Sequence, residues 1–211
     1  MGRASHGRIV RMATSAIAVA ALALLLTAAK ASAQEPVRIR GSIESLADGV
    51  YSIRTRENKP VKLRLAPAAS VAASIGSTLS DIKPGVFIGV AALRQADGTL
   101  RALEVHIFDE TMRGTGEGHR PWDLLPESTM TNAVVEDIAT SVDGHSVMLR
   151  YKGGQKQVLI PPDTTIVAYL PGSIAELKPG AIVFIPAAIN QPDGTLEAQR
   201  VMVGRDVAPP Q

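Results

Sequence analysis

The chain has 211 residues, no cysteine and nearly balanced charge, with 22 basic and 20 acidic residues. Without cysteine it forms neither disulfides nor thiolate metal sites, and it has no thiol nucleophile. A chain of this length holds one domain of ordinary size or two small ones.

The first 33 residues have the three-part layout of a secretory signal peptide. A positive n-region contains Arg3, Arg8 and Arg11, and an apolar run over residues 13–29 follows it. The small residues Ala-Ser-Ala at 31–33 then form a cleavage motif. A retained membrane anchor fits less well, because the run is rich in alanine and the cleavage motif follows at once. We predict cleavage near residue 33 and a periplasmic or secreted location, which leaves 18 basic against 20 acidic residues.

An internal repeat organises the rest of the chain. The segment LSDIKPG at residues 79–85 recurs as IAELKPG at 174–180, and QADGTL at 95–100 recurs as QPDGTL at 191–196. The two offsets are 95 and 96 residues, so one inserted residue reconciles them. Two ordered matches nearly in register indicate a duplication.

Each repeat alternates apolar and polar residues with a period of two, which is typical of half-buried strands. The first repeat predicts five strands, near residues 37–43, 51–55, 61–65, 86–93 and 103–107. The second repeat continues the pattern at residues 147–151, 158–160, 181–189 and 201–203. Pro186 predicts a bulge or an edge position in its strand. We expect the connection over 66–84 to be irregular with one short helical turn near 80–83, because Pro171 stands at the equivalent of Gly76.

Five strands with a longer connection between the third and the fourth favour a small OB-like barrel. The Gly-x-Ile opening strand, the Lys-Pro-Gly turn and the Asp-Gly-Thr-Leu hairpin resemble a bacterial envelope family of tandem OB-like β-barrel domains of unknown function. That resemblance implies a fold and a compartment, and it supplies no catalytic residues. The fold prediction is therefore all-β, with two tandem five-stranded OB-like small barrels after an N-terminal signal peptide. The predicted parts are the signal peptide at 1–33, the first barrel at 34–108, a linker at 109–130, the second barrel at 131–205 and a C-terminal tail at 206–211.

The predicted linker contains the single tryptophan, Trp122, beside Pro121. A large apolar ring in a linker usually covers a surface, so we expect Trp122 to pack between the two barrels and fix their angle. An alternative use of the linker is a metal site of Glu117, His119 and Asp123, because carboxylate and imidazole groups bind divalent cations. In that alternative the chain is a periplasmic divalent-metal-binding or metal-transport-associated protein.

Basic residues concentrate in the first three predicted strands. By strand alternation six of them project to one outer face, namely Arg38, Arg40, Arg54, Arg56, Lys62 and Arg64. Residues 109–147 hold eight acidic and two basic residues, so the charge of the molecule is polarised. Either these surfaces are simply solvated, or the linker lies on the basic face. The third possibility is that the basic face docks an anionic partner, such as an envelope protein or lipid phosphates.

Nucleic-acid binding and catalysis are both disfavoured. The aromatic residues of the strands fall at core positions, where they are not available to stack on bases. Serine does not occur in a nucleophile elbow, and His106, His119 and His145 have unrelated contexts. We therefore expect an exported, non-enzymatic binding or accessory protein of the cell envelope that needs no cofactor and docks an anionic partner.

Overall fold

The computed structural model describes residues 35–209, which contain twelve β-strands and three short 3₁₀ helices. The strands are β1 (Val37–Ala47), β2 (Val50–Thr55), β3 (Pro60–Gly76), β4 (Phe87–Arg94), β5 (Leu100–Phe108), β6 (Gly118–Pro121), β7 (Thr129–Ser141), β8 (Gly144–Tyr151), β9 (Gly154–Ile160), β10 (Thr165–Pro171), β11 (Ile182–Asn190) and β12 (Leu196–Gly204). The 3₁₀ helices are Leu79–Asp81, Glu110–Met112 and Ile174–Glu176. The predicted signal peptide lies outside the described residues, and within them no helix is long and apolar enough to cross a bilayer.

The strands form one continuous sheet that closes on itself. β12, β11, β1, β2 and β3 are neighbours in that order, and β12 pairs with β3 to complete a closed five-stranded barrel, the first ring. Five further strands are also neighbours in sequence of pairing, in the order β5, β4, β7, β8 and β9. A short parallel pairing of Leu100 and Arg101 with Val158 and Leu159 completes this second ring. β10 lies between β3 and β5 and connects the two rings.

Each ring contains strands from both sequence repeats. The first ring combines β1, β2 and β3 with β11 and β12, whereas the second combines β7, β8 and β9 with β4 and β5. The all-β prediction is therefore confirmed, but the rings do not follow one another along the chain as two tandem barrels would. The predicted boundaries at 34–108 and 131–205 delimit the repeats in sequence, and strand pairing crosses both of them.

The length of β3 is the physical reason that the two repeats exchange strands, so that each ring contains strands from both. The connection expected over 66–84 is strand as far as Gly76, and only Leu79–Asp81 is helical. Because the second half of β3 pairs with β10, the chain leaves the first ring before β4 begins. In the second repeat β9 and β10 take the place of β3. The predicted bulge at Pro186 is confirmed by a register shift opposite it, between Val37 and Ile39 of β1.

The pairing of β3 with β10 relates the two repeats by an approximate twofold axis. Ser74 is paired with Tyr169, and these residues are 95 positions apart, the offset of the repeat. The neighbouring pairs, Gly76 with Val167 and Ala72 with Pro171, are equivalent to each other under the same offset. The axis therefore passes between Ser74 and Tyr169.

Buried side chains form three clusters. One lies inside the first ring and includes Ile39, Ile53 and Ile185. Another lies inside the second ring and includes Ile88 and Leu149. The third cluster contains residues of both rings and of β10, namely Ala72, Phe87, Phe108, Tyr169, Phe184 and Met202. This inter-ring cluster is rich in aromatic residues, and the candidate site lies against it.

Candidate functional site

The predicted basic face is partly covered by the linker. Arg40 donates from both of its terminal nitrogens to the carboxylate of Asp123, at 3.2 and 2.9 Å. Arg38 Nη1 lies 3.4 Å from the same carboxylate. The linker therefore neutralises part of the charge that the sequence places on this face.

The remaining basic residues separate into two shallow grooves. Arg54 and Arg56 line one groove together with Arg40, beside β1 and β2. Lys62 and Arg64 line another groove beside the turn that precedes β12. The structure thus does not bring the six predicted residues together into one docking surface.

The three predicted metal ligands lie apart. Glu117 Oε1 accepts a hydrogen bond from the backbone N–H of Lys152 at 2.7 Å, and His119 Nδ1 is hydrogen-bonded to Thr131 Oγ1 at 2.8 Å. Asp123 is bound by the arginines described above. Residues 35–209 contain no group of three or more histidine and acidic side chains that could hold a metal ion. The structure does not gather the predicted trio into one such group.

Trp122 lies where the linker crosses the inter-ring cluster. Its ring packs edge-on against Phe184, with the ring centroids 6.3 Å apart. The turn between β6 and β7 fixes its backbone, because the backbone N–H of Trp122 donates to the carbonyl of Ser128 and Ser128 Oγ donates back to the carbonyl of Trp122. Pro121 precedes it at the exposed end of β6. The β6–β7 hairpin belongs to the second ring, so the indole contacts the first ring from a support on the second.

Three arginines surround this tryptophan and form what we call the arginine cluster. The guanidinium carbons of Arg38, Arg120 and Arg40 lie 4.3, 5.6 and 5.8 Å from the indole centroid. Burial first, and the charge of Arg38 second, lower the pKa of Arg120. Burial alone would raise the pKa of Asp123, but the hydrogen bond from Arg40 and the two positive charges outweigh it, so this pKa is lowered. Cations are therefore crowded beside Trp122.

A pocket of about 130 Å³ lies beside Trp122, between the two rings, and we call it the inter-ring pocket. Its apolar walls are formed by Phe108, Trp122, Met130, Phe184, Pro186 and Met202. Its polar side chains are those of His106, Thr115, Arg120, Asn132, Tyr169 and Arg200. Apolar walls with a few convergent polar groups are the usual composition of a small-molecule site.

Three buried polar groups in this lining have an atom without a hydrogen-bond partner. They are Tyr169 Oη, His106 Nε2 and Asn132 Oδ1, and their residues are only 1 %, 4 % and 4 % exposed. His106 Nε2 lies 3.6 Å from Glu104 Oε2, which is beyond hydrogen-bonding distance. An unsatisfied buried polar group costs about 1–3 kcal/mol, so three in one pocket require an explanation. A ligand or ordered water that supplies the missing partners is such an explanation.

The unpartnered atoms have defined chemical roles. Burial first, and the negative charge of Glu104 second, raise the pKa of Tyr169 well above its usual value, so its hydroxyl is a neutral phenol that donates or accepts. Asn132 Nδ2 donates to the carbonyl of Thr115 at 2.9 Å. That bond fixes the orientation of the amide and leaves Asn132 Oδ1 as a pure acceptor.

The linker closes one side of the pocket. Arg200 Nη1 donates to Thr115 Oγ1 at 3.2 Å, and Arg120 Nη1 donates to the carbonyl of Gly116 at 2.6 Å. Each guanidinium has five N–H donors, so one hydrogen bond positions each arginine and other donors remain for a ligand. Arg120 and Arg200 are thus held in the pocket wall.

Sequence reasoning missed Tyr169, Asn132 and Arg120 as site residues, because strand pairing between the repeats brings their elements together. A signal was nevertheless present in the repeat itself. In the first ring, three residues pair side by side across neighbouring strands, namely Arg40, Phe184 and Met202. The equivalent residues of the second ring are Asn132, Gly89 and His106, and they differ in chemical type at every position. Four of these six residues, namely Phe184, Met202, Asn132 and His106, line the pocket.

The resemblance to the envelope family rests on turn and strand motifs and stays a prediction. Because a fold does not define an activity, the function has to be argued from the site. Comparisons with protein-family models, with curated proteins and with solved structures gave no match to this chain.

Proposed function

We propose that this protein is an exported, non-enzymatic binding protein that holds a small anionic ligand in the inter-ring pocket. The observation that carries the proposal is the set of three buried polar atoms without a hydrogen-bond partner in one pocket, those of His106, Asn132 and Tyr169. Export is inferred from the signal-like sequence at 1–33, and the pocket supports the binding role.

The charges around the pocket favour an anion. Arg120 and Arg200 line it, and Arg38 and Arg40 adjoin it through Trp122. Asp123 balances only part of this charge, and burial first, with the charge of Arg38 second, lowers the pKa of Arg120. An anionic ligand relieves the repulsion among these cations and forms charge-assisted hydrogen bonds with them.

Titration of the mature protein with small carboxylates and phosphates tests this proposal, with Trp122 emission and calorimetry as readouts. The single tryptophan lies in the pocket wall, so occupancy changes its emission. We expect saturable binding that weakens at least about tenfold in Arg120→Gln or Arg200→Gln, because each removes a charge-assisted hydrogen bond. Arg101→Gln, at an exposed position on β5, is the matched control and should leave affinity unchanged. If no anion binds, or if all three variants bind alike, the pocket is not an anion site.

A second candidate function is docking of an anionic envelope partner at the groove of Arg40, Arg54 and Arg56. This groove has a volume of about 470 Å³ and is lined by three arginines. Arg54 is paired with Glu44 at 2.8 Å, whereas Arg56 is exposed. Such a position suits electrostatic recognition of a partner.

Crosslinking in the native envelope tests the docking function. Arg56→Glu should abolish capture of an anionic partner, because the reversed charge repels it. Lys62→Glu makes the same charge change in the separate groove beside Arg64 and should preserve capture. Equal capture by both variants and by the unmodified protein would exclude the Arg56 groove.

A further inference from the structure

The volume of the inter-ring pocket limits the size of its ligand. A cavity of about 150 Å³ accepts benzene, and this pocket has about 130 Å³. The enclosed space is therefore no larger than a single six-membered ring, so substituents on such a ring must reach the open side of the pocket, and a nucleotide, a fused-ring system or a peptide segment is too large. An inorganic anion would fill only part of the space.

The walls of the pocket are suited to an aromatic ring. Trp122 and Phe184 meet edge-on, and Phe108 and Tyr169 are tilted by 46° with ring centroids 5.5 Å apart. Aromatic pairs prefer such tilted and edge-on arrangements, so a further ring extends the cluster favourably. Met202 adds a thioether of the kind that packs well against ring edges.

The polar groups specify what the ring must carry. Arg120 and Arg200 present planar guanidinium groups, whose donors match a carboxylate. Asn132 Oδ1 is an acceptor, so its partner must be a donor such as a hydroxyl group. Tyr169 Oη can form a further hydrogen bond with either group. A simple carboxylate or phosphate satisfies the arginines and leaves Asn132 without a donor.

From these steps, and resting on the proposed function, we infer that the inter-ring pocket binds a hydroxylated monocyclic aromatic carboxylate. The ring packs against Trp122 and Phe184, and the carboxylate binds Arg120 or Arg200. The ring hydroxyl donates to Asn132 Oδ1. Because the pocket lies beside an approximate twofold axis but has unlike residues at equivalent positions, it holds the ligand in one orientation.

Calorimetry on the mature protein with a matched ligand series tests the inference. The series contains the 2-, 3- and 4-hydroxybenzoates, benzoate, phenol, acetate and inorganic phosphate. We expect one hydroxybenzoate isomer to bind at least about tenfold more tightly than benzoate, which lacks the donor, because Asn132 Oδ1 would otherwise stay buried and unpaired. It should exceed phenol by a similar factor, because phenol lacks the charge for the arginines.

Two tyrosine variants separate pocket binding from effects on the fold. Tyr169→Phe should weaken the best hydroxybenzoate about fivefold by removing one hydrogen bond. Tyr151→Phe, on β8 outside the pocket, is the matched control and should bind like the unmodified protein. Thermal unfolding of both variants verifies that they fold.

The outcomes distinguish the ligand class from the binding function. If acetate or phosphate binds in an Arg120-dependent manner and the aromatic acids do not, the ligand class is wrong and the anion-binding function stands. Benzoate binding as tightly as every hydroxybenzoate would overturn the role of Asn132. If no member of the series binds and the arginine variants change nothing, both proposals fail.

Discussion

Gly89 and Phe184 occupy equivalent positions in the two repeats and pack in opposite ways. Phe184 fills the space beside Trp122, whereas Gly89 leaves room for Asn132. A Cβ atom at residue 89 would lie 2.7 Å from Asn132 Oδ1 and 3.1 Å from Phe108 Cε2. The glycine therefore allows Asn132 to line the pocket.

We expect Gly89→Ala to lower the free energy of unfolding by about 1–3 kcal/mol, because the added methyl group overpacks a buried site. Gly76→Ala is the matched control. Its Cβ would meet Val207 Cγ1 at 3.6 Å, an ordinary contact, so its effect should be small. Urea unfolding followed by circular dichroism measures both. Equal stability of the two variants would show that Asn132 and Phe108 are not confined as the structure indicates.

Tyr169→Phe should leave stability unchanged or raise it when no ligand is present. The hydroxyl of this fully buried residue has no hydrogen-bond partner, so its removal relieves a cost of about 1–3 kcal/mol. Thermal unfolding of the ligand-free protein checks the sign. A loss above about 1 kcal/mol would mean that the hydroxyl is satisfied in the folded protein.

At the scale of elements, the recurring Asp-Gly-Thr segments are identical turns with a shared electrostatic signature. Asp97 Oδ1 accepts from the N–H and the hydroxyl of Thr99 at 2.9 and 2.7 Å, and Asp193 Oδ1 accepts from Thr195 at 2.9 and 2.6 Å. The threonine side-chain hydrogen bond first, and the backbone hydrogen bond second, lower the pKa of each aspartate. The turns recur because the same capping geometry is needed twice.

These lowered pKa values predict the direction of the acid response. A carboxyl whose pKa is lower in the folded state contributes stability above its unfolded pKa of about 3.9, and this stability is lost as the pH falls through the folded pKa. The urea concentration at the unfolding midpoint should therefore decrease as the pH falls below about 4. This decrease should be less steep in the double variant Asp97→Asn, Asp193→Asn. Urea denaturation between pH 7 and pH 2 provides the comparison. An identical slope in both proteins would show that these turns do not contribute.

Part of the architecture could be predicted from the chain, and the rest could not, for a definite reason. Period-two alternation marks the strands that have one face in a ring, such as β2 and β8. The second half of β3 is rich in alanine and lacks that alternation, because Ala72 and Ala73 are buried near the twofold axis, where small residues let strands approach. Tandem and exchanged pairing also bury the same apolar faces, so alternation alone does not distinguish them. The pocket could not be predicted because it forms only through the exchange.

At the scale of the whole molecule, the shared rings predict that the covalent link between the repeats is dispensable once the protein has folded. A protease site inserted between Pro126 and Glu127, in an exposed turn of the linker, separates the repeats after cleavage. The two fragments should remain associated, because each ring needs strands from both of them. Size-exclusion chromatography and native mass spectrometry detect this. Two separately eluting folded fragments would contradict the shared rings.

The exchange also constrains how a nascent chain reaches its native state. The first ring begins with β1 at Val37 but needs β12, which ends at Gly204. Contacts so distant in sequence form late and slowly. The second ring has all of its strands once β9 ends at Ile160, whereas the first ring stays open until β12 has been synthesised. We therefore expect the second ring to close before the first, with β12 as the last strand to pair.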